Sequence, residues 1–344
     1  MKSKKIILSV ILCFCTIFCF AQNLKIATIA PARSVWDNEA KRLAQEISKA
    51  TGGRVKLQFM NATAMGGESG VIQKLNSIRP GQKAPIDGAI FTNIGVAELA
   101  PDISIMTTCV PFLFRDQEEV DEVYKAIEPK MQKELKKKGY MYLGAFSVGW
   151  AYFYTKKPVH TPEDLKNQKM SVGGLGLDSL GDSFKAAGFK TENVAAEKLL
   201  QSLKSPGGAE AIYTIPMYAY AGQYYKSLPY ILNIPICPVL ATFIINEKTW
   251  NSFSEADKKA IMVEVEKAKK RFVEEQKNAD QEYLKLCEQG GCTIITPTKA
   301  EYDLMEKTLA KDAYVMTKTG LMDTDFYEEL LSIIKKHRGE QKIY

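Results

Sequence analysis

From Ser254 to Gln289 the chain runs without a glycine or a proline. Ser254 followed by Asp257 reads as a capped helix start, and Ile261, Val265, Phe272 and Leu286 supply an inner face. At ~1.5 Å per residue such a helix spans about 50 Å, longer than one small domain. A chain of 344 residues suits about two domains on a prior of ~150 residues each. The expectation is a helix that lies across two lobes.

Ahead of it, strand and helix patterns alternate. Leu24 to Ile29 is β-type, Ser34 caps a helix with Asp37 at its third position, and Trp36, Ala40, Leu43 and Ile47 share a face. Gly52-Gly53 stops that helix, and Val55, Leu57 and Phe59 alternate as a strand. Gly66-Gly67 leads into a second helix, Ile86 to Phe91 is a third strand, and Thr92-Asn93 opens the next helix. A helix from Asp116, with Pro129 as a kink or break, precedes two strands at 140–146 and 150–155, separated at Ser147-Val148-Gly149. A second α/β unit begins at Thr161-Pro162. Its first strand, 169–172, runs into Gly173-Gly174, which reads as a backbone that something approaches closely. Helices at 178–187 and 195–203, a strand at 211–213 and a helix from Pro216 follow, then strand-like runs at 231–234 and 239–245. Alternation at this rate indicates an α/β fold with a mainly parallel sheet covered on both faces.

Lys2, Lys4 and Lys5 precede an apolar run over 6–20, and Cys19-Phe20-Ala21 places small residues where a signal peptidase inspects the chain. A signal peptide over 1–21, cleaved after about Ala21, directs the protein to the periplasm. A lipid or uncleaved membrane anchor is the rival reading, although Leu12, Phe14 and Phe18 are bulkier than a lipobox accepts before Cys13, Cys15 and Cys19. The formal charge of +6 becomes 6 − 3 = +3 without those lysines. The remaining basic clusters sit in helical patterns, which argues against nucleic acid as a partner. Cys109, Cys237, Cys287 and Cys292 then remain. In an oxidising compartment they allow disulfides, Cys287 with Cys292 or Cys109 with Cys237, or four free buried thiols; these alternatives stay open.

Catalysis finds little support. The only histidines are His160 and His337, neither set in a triad or metal pattern. Gly173-Gly174-Leu175-Gly176 lacks the Lys-Ser/Thr of a phosphate loop and the spacing of a dinucleotide fingerprint. No cofactor is indicated. A two-lobed exported α/β chain without a catalytic set reads as a small-molecule-binding protein, its ligand between the lobes at strand ends, buried by closure.

Ordered along the chain are Ala30-Pro31…Ser34-Val35-Trp36, Thr51-Gly52-Gly53-Arg54-Val55, Met65-Gly66-Gly67-Glu68, Pro111-Phe112-Leu113-Phe114, Lys157-Pro158-Val159…Thr161-Pro162-Glu163-Asp164-Leu165-Lys166, Glu210-Ala211-Ile212-Tyr213-Thr214-Ile215-Pro216 and Lys248-Thr249-Trp250. In this set the chain resembles the DctP-like substrate-binding proteins of TRAP (tripartite ATP-independent periplasmic) transporters. The resemblance implies a type II-like periplasmic-binding-protein fold and delivery of ligand to TRAP membrane permease subunits. It implies lobe I over 23–148 with about 236–262, and lobe II over 149–235 with C-terminal helices at about 275–344. Most members carry a ligand-binding arginine in the strand matching 169–172; here Ser171 stands in its place. A second family arginine falls at about Ala151, an acidic position at about Thr92, and an asparagine at about Thr214.

A carboxylate buried without a cation is strongly disfavoured, and a bidentate arginine is the usual remedy. With Ser171 and Ala151 in these places the expected ligand is neutral or hydrophobic. Trp36, Phe91, Trp150, Tyr213 and Met217 form an aromatic and thioether set at the predicted cleft, with Thr92, Asn93 and Thr214 beside them. Each of the apolar side chains also suits ordinary core packing. Arg33, in the first cleft-facing loop, supplies an alternative: the same role with an organic acid bound through that cation. A third reading is a non-transport sensor that pairs with another periplasmic protein.

Overall fold

The computed structural model describes residues 21–77, 85–172 and 178–339. The signal region up to residue 20 and the glycine pair Gly173-Gly174 lie outside them. In chain order the first elements are β1 (Gln22–Thr28), α1 (Val35–Ala50), β2 (Val55–Asn61), α2 (Gly67–Asn76), β3 (Gly88–Thr92), α3 (Asn93–Leu99), α4 (Gln117–Lys137) and β4 (Tyr140–Thr155). Then come α5 (Pro162–Lys166), β5 (Met170–Ser171), α6 (Asp178–Ala186), β6 (Thr191–Glu192), α7 (Ala196–Lys204), β7 (Ala211–Thr214) and α8 (Pro216–Ala221). The chain ends through β8 (Tyr230–Asn246), α9 (Glu247–Asn251), α10 (Glu255–Gln289), β9 (Thr293–Ile295), α11 (Lys299–Met316) and α12 (Thr324–His337).

The strands form one mixed sheet in the order β2-β1-β3-β8-β4-β7-β5-β6, with β9 beside β8. Its outer ladders are parallel: β1 with β2 and β3, and β5 with β6 and β7. Its centre departs from the expected mainly parallel sheet. β4 and β8 run antiparallel along their whole length, and each is one strand where the sequence pattern suggests two. The breaker residues mark bulges instead of ends. The register between the two strands shifts between Tyr142 and Gly144, between Ser147 and Trp150, around Gly149 and beside Pro238, and again between Ala151 and Phe153, opposite the stretch of β8 that holds Pro235. Proline gives no ladder donor, so a central strand tolerates it only at such irregularities. One half of the sheet is thus built on 140–147 and 240–246, the other on 150–155 and 230–238, with two strands crossing between them.

α10 is continuous over 35 residues, about 52 Å at ~1.5 Å per residue. Ser254 caps it by accepting from the Asp257 amide. Its buried stripe runs Ile261, Val265, Ala268, Phe272, Gln276, Ala279, Asp280, Leu284 and Cys287. Leu286, expected inside, is half-buried; Leu284 and Cys287 take the inner positions. Near its start Asp257 receives the Arg54 guanidinium at 2.6 Å, and Arg271 grips Glu39 and Glu46 of α1 at 2.6 and 2.7 Å. The same helix then closes on the other half of the sheet through Leu284 and Cys287, which pack with Tyr152, Tyr154, Leu203 and Ile212.

α4 continues through Pro129. Among the described residues the cysteines Cys109, Cys237, Cys287 and Cys292 are free and buried. Among the described residues no helix is long and apolar enough to cross a membrane.

Candidate functional site

Strand ends converge on the crossing. Thr92, the last residue of β3, pairs with Ala241 of β8, and Thr214, the last of β7, pairs with Tyr152 of β4. The carboxyl ends of the two parallel ladders therefore face each other across the point where β4 and β8 change halves, the usual place for a ligand in such sheets.

On the first side, Thr92 starts α3, and the carboxylate of Glu68 from α2 lies over that start. It accepts from the Thr92 amide and hydroxyl, both at 2.6 Å, and from the Gly95 amide at 3.1 Å. Burial nevertheless pushes the Glu68 carboxyl up to about 7, against the pull of those hydrogen bonds. Removal from water outweighs three donors because no cation joins them. Phe91 is buried beneath Gly95, where a Cβ would stand 2.6 Å from its ring. Asn93 turns inward: its amide reaches Thr108 Oγ1 at 3.1 Å, Cys109 Sγ at 3.2 Å and the Tyr124 hydroxyl at 3.3 Å. Those bonds satisfy a buried amide.

On the second side, Ser171 ends β5 against Ile212 of β7. It is 5% exposed, and its hydroxyl has no hydrogen-bond partner. Tyr213 packs its ring on Phe153 and Phe184, with centroids at 6.0 and 5.3 Å, and burial raises its hydroxyl well above the usual range. Thr214 and Trp150 are half-buried. Trp36 and Met217 belong to one apolar cluster that draws on both halves. Beside them the Tyr218 hydroxyl donates to the Ile29 carbonyl at 3.1 Å, a direct bond between the halves. Arg33 is exposed and left-handed at φ 66°, its amide tied to Asp37 at 2.7 Å.

Three residues here were not singled out from sequence: Glu68, Tyr218 and Asp280. Asp280 gives a readable signal, because with Gln276 it puts two polar residues on the apolar stripe of α10. Glu68 and Tyr218 carry none, since their roles depend on which elements meet. Among the described residues no group of three or more His, Cys, Asp or Glu could hold a metal.

Two α/β halves, joined by crossing strands and spanned by one helix, define a two-lobed binding protein. The chain belongs to the bacterial extracellular solute-binding proteins, family 7 (DctP), whose model matches residues 26–317. It is 24% identical over 247 residues to a solute-binding protein of Roseobacter denitrificans, covering 71% of this chain and 72% of that one. In structure it is similar to a TRAP periplasmic solute-binding protein of Ralstonia eutropha with bound (S)-2-acetolactate, at TM-score 0.76 and 20% identity, covering 91% and 99% of the two chains. It is likewise similar to DctP7 of Bordetella pertussis, an extracytoplasmic solute receptor binding pyroglutamic acid, at TM-score 0.76 and 17% identity, covering 92% and 100%.

Proposed function

We propose that this protein is the extracytoplasmic receptor of a TRAP-type importer, without enzymatic activity. In this reading it captures a neutral or largely apolar small molecule between its lobes and delivers it to membrane permease subunits. Lobe I comprises 23–148 with about 236–262, and lobe II 149–235 with the C-terminal helices. Trp36, Phe91, Thr92, Trp150, Ser171, Tyr213, Thr214 and Met217 lie on or beneath the ligand surface, and Asn93 supports it from below.

The observation that carries the reading is Ser171. Its buried, unpartnered hydroxyl stands where the family resemblance puts a guanidinium. A hydroxyl exchanges one hydrogen bond with a ligand and neutralises no charge. Mass spectrometry of solute released from the purified protein tests the reading, and tight binding of a small dicarboxylate or a sialic acid overturns it.

A second reading keeps the role and takes an organic acid through Arg33. It is favoured by the acids bound in the two related structures. Loss of acid binding in Arg33→Ala with Ser171→Ala silent selects it.

A further inference from the structure

β2 is the outermost strand of its half of the sheet, and among the described residues β1 is its only strand partner. Its seven residues pair with β1 in unbroken register. The backbone groups along the other edge are therefore aligned and open to a further strand. Native edges are commonly guarded by charges, proline or a bulge. β2 has no proline and no bulge, and its one charge is Lys56. The side chains alternate. Val55, Leu57 and Phe59 join the apolar packing under α1, with Leu57 and Phe59 only half-buried. Lys56 and Gln58 are exposed on the opposite face. Between α1 and β2 runs a shallow groove of about 460 Å³, lined by Ala44, Gln45 and Ser48 of the helix and by Lys56 and Leu57 of the strand.

We propose that β2 pairs with β2 of a second copy of this chain, antiparallel, about a twofold axis at Gln58. An axis normal to the sheet sets identical edge strands antiparallel and keeps the α1 face of both copies on one side. Gln58 is the midpoint of Val55–Asn61, so this centring overlaps the two strands along their whole length. It sets Leu57 of each copy opposite Phe59 of the other, an apolar cross-strand pair made twice. The Phe59 ring of the second copy then lies over the groove beside Leu57, where Ala44 and Ser48 leave room for it. Lys56 falls opposite Met60 of the second copy, so no two like charges meet. This self-complementarity is what favours a second copy over an unrelated strand. Two strands separate β2 from β8, and pairing at this edge stands whatever solute binds at the crossing.

Sedimentation velocity of the mature chain under reducing conditions should show a mass that rises with concentration towards twice that of the monomer. Gln58→Lys places like charges opposite each other across the axis and should weaken association by about threefold or more. Gln58→Glu should do the same, and an equimolar mixture of the two variants should restore it. Position 58 is exposed, so these changes leave the fold intact. Oxidative cross-linking reads the register, since the native cysteines are buried. Gln58→Cys should cross-link to itself. Lys56→Cys should not, because its two copies lie about 14 Å apart at ~3.4 Å per residue, beyond the reach of a disulfide. Mixed with Met60→Cys, however, it should cross-link. A monomer at every concentration, a dimer indifferent to charge at position 58, or equal self-cross-linking at positions 56 and 58 each overturns the proposal. The wild-type sedimentation result decides alone should a cysteine variant not fold.

Discussion

Replacing Ser171 by alanine should stabilise the ligand-free protein and weaken its hold on ligand. The Ser171 hydroxyl is buried without a partner at the end of β5. Leaving a buried hydroxyl unpaired costs about 1–3 kcal/mol. Removing it recovers that amount less the small packing loss of one oxygen, so a gain of about 1 kcal/mol is expected. In a chain of this size that corresponds to roughly 2 °C in melting temperature. The assay is urea unfolding of solute-stripped protein, read as a shift in midpoint at unchanged slope. With solute bound the order should reverse, since the wild type then has a partner for the hydroxyl. A loss of more than about 1 kcal/mol in the stripped protein would refute the argument, because it would mean the hydroxyl already has a partner.

Gly149→Ala forces a side chain into the left-handed region and against Asp280, at an expected cost of about 2–3 kcal/mol; adding Asp280→Ala should restore part of it in a double-mutant cycle. Arg338→Ala strips the Glu119 carboxylate of two bonds at 2.6 and 2.8 Å and leaves it buried against α12, so a loss of about 3 kcal/mol in denaturant stability is expected. The raised Glu68 carboxyl keeps its proton in the folded protein after the unfolded chain has released it. Its stabilising contribution is therefore complete at acid pH, declines as pH rises towards 7 and is gone above that, and a Glu68→Gln variant should lose this slope when melting is compared at pH 5.5 and 8.5. The four buried thiols should resist an aqueous thiol reagent in the native protein and react on unfolding, whereas intact mass showing a disulfide contradicts that state.

Much of the architecture is legible in the sequence because it depends on local periodicity. The caps at Ser34 and Ser254, the stripe along α10 and the parallel ladders follow from spacing alone. The central pair β4 and β8 is not legible, for a definite reason. Gly149, Pro235 and Pro238 are the same residues that end strands elsewhere, and only the pairing partner reveals that they bend a continuous strand at the crossing. The site divides along the same line. Ser171, Thr92 and Thr214 are singled out through the family resemblance and lie at strand ends in the structure, whereas Asn93 looks available in sequence and is drawn inward by Thr108, Cys109 and Tyr124. Glu68 and Tyr218 become visible only when α2 is brought to the start of α3 and α8 to Ile29, just past the end of β1.

The most direct measurement is the identity of the solute that leaves the purified protein on denaturation, read by mass spectrometry and checked by rebinding to stripped protein. The account predicts a neutral or largely apolar small molecule whose affinity falls in Ser171→Ala. Recovery of a dicarboxylate or a sialic acid that rebinds tightly, indifferent to Ser171, would contradict it.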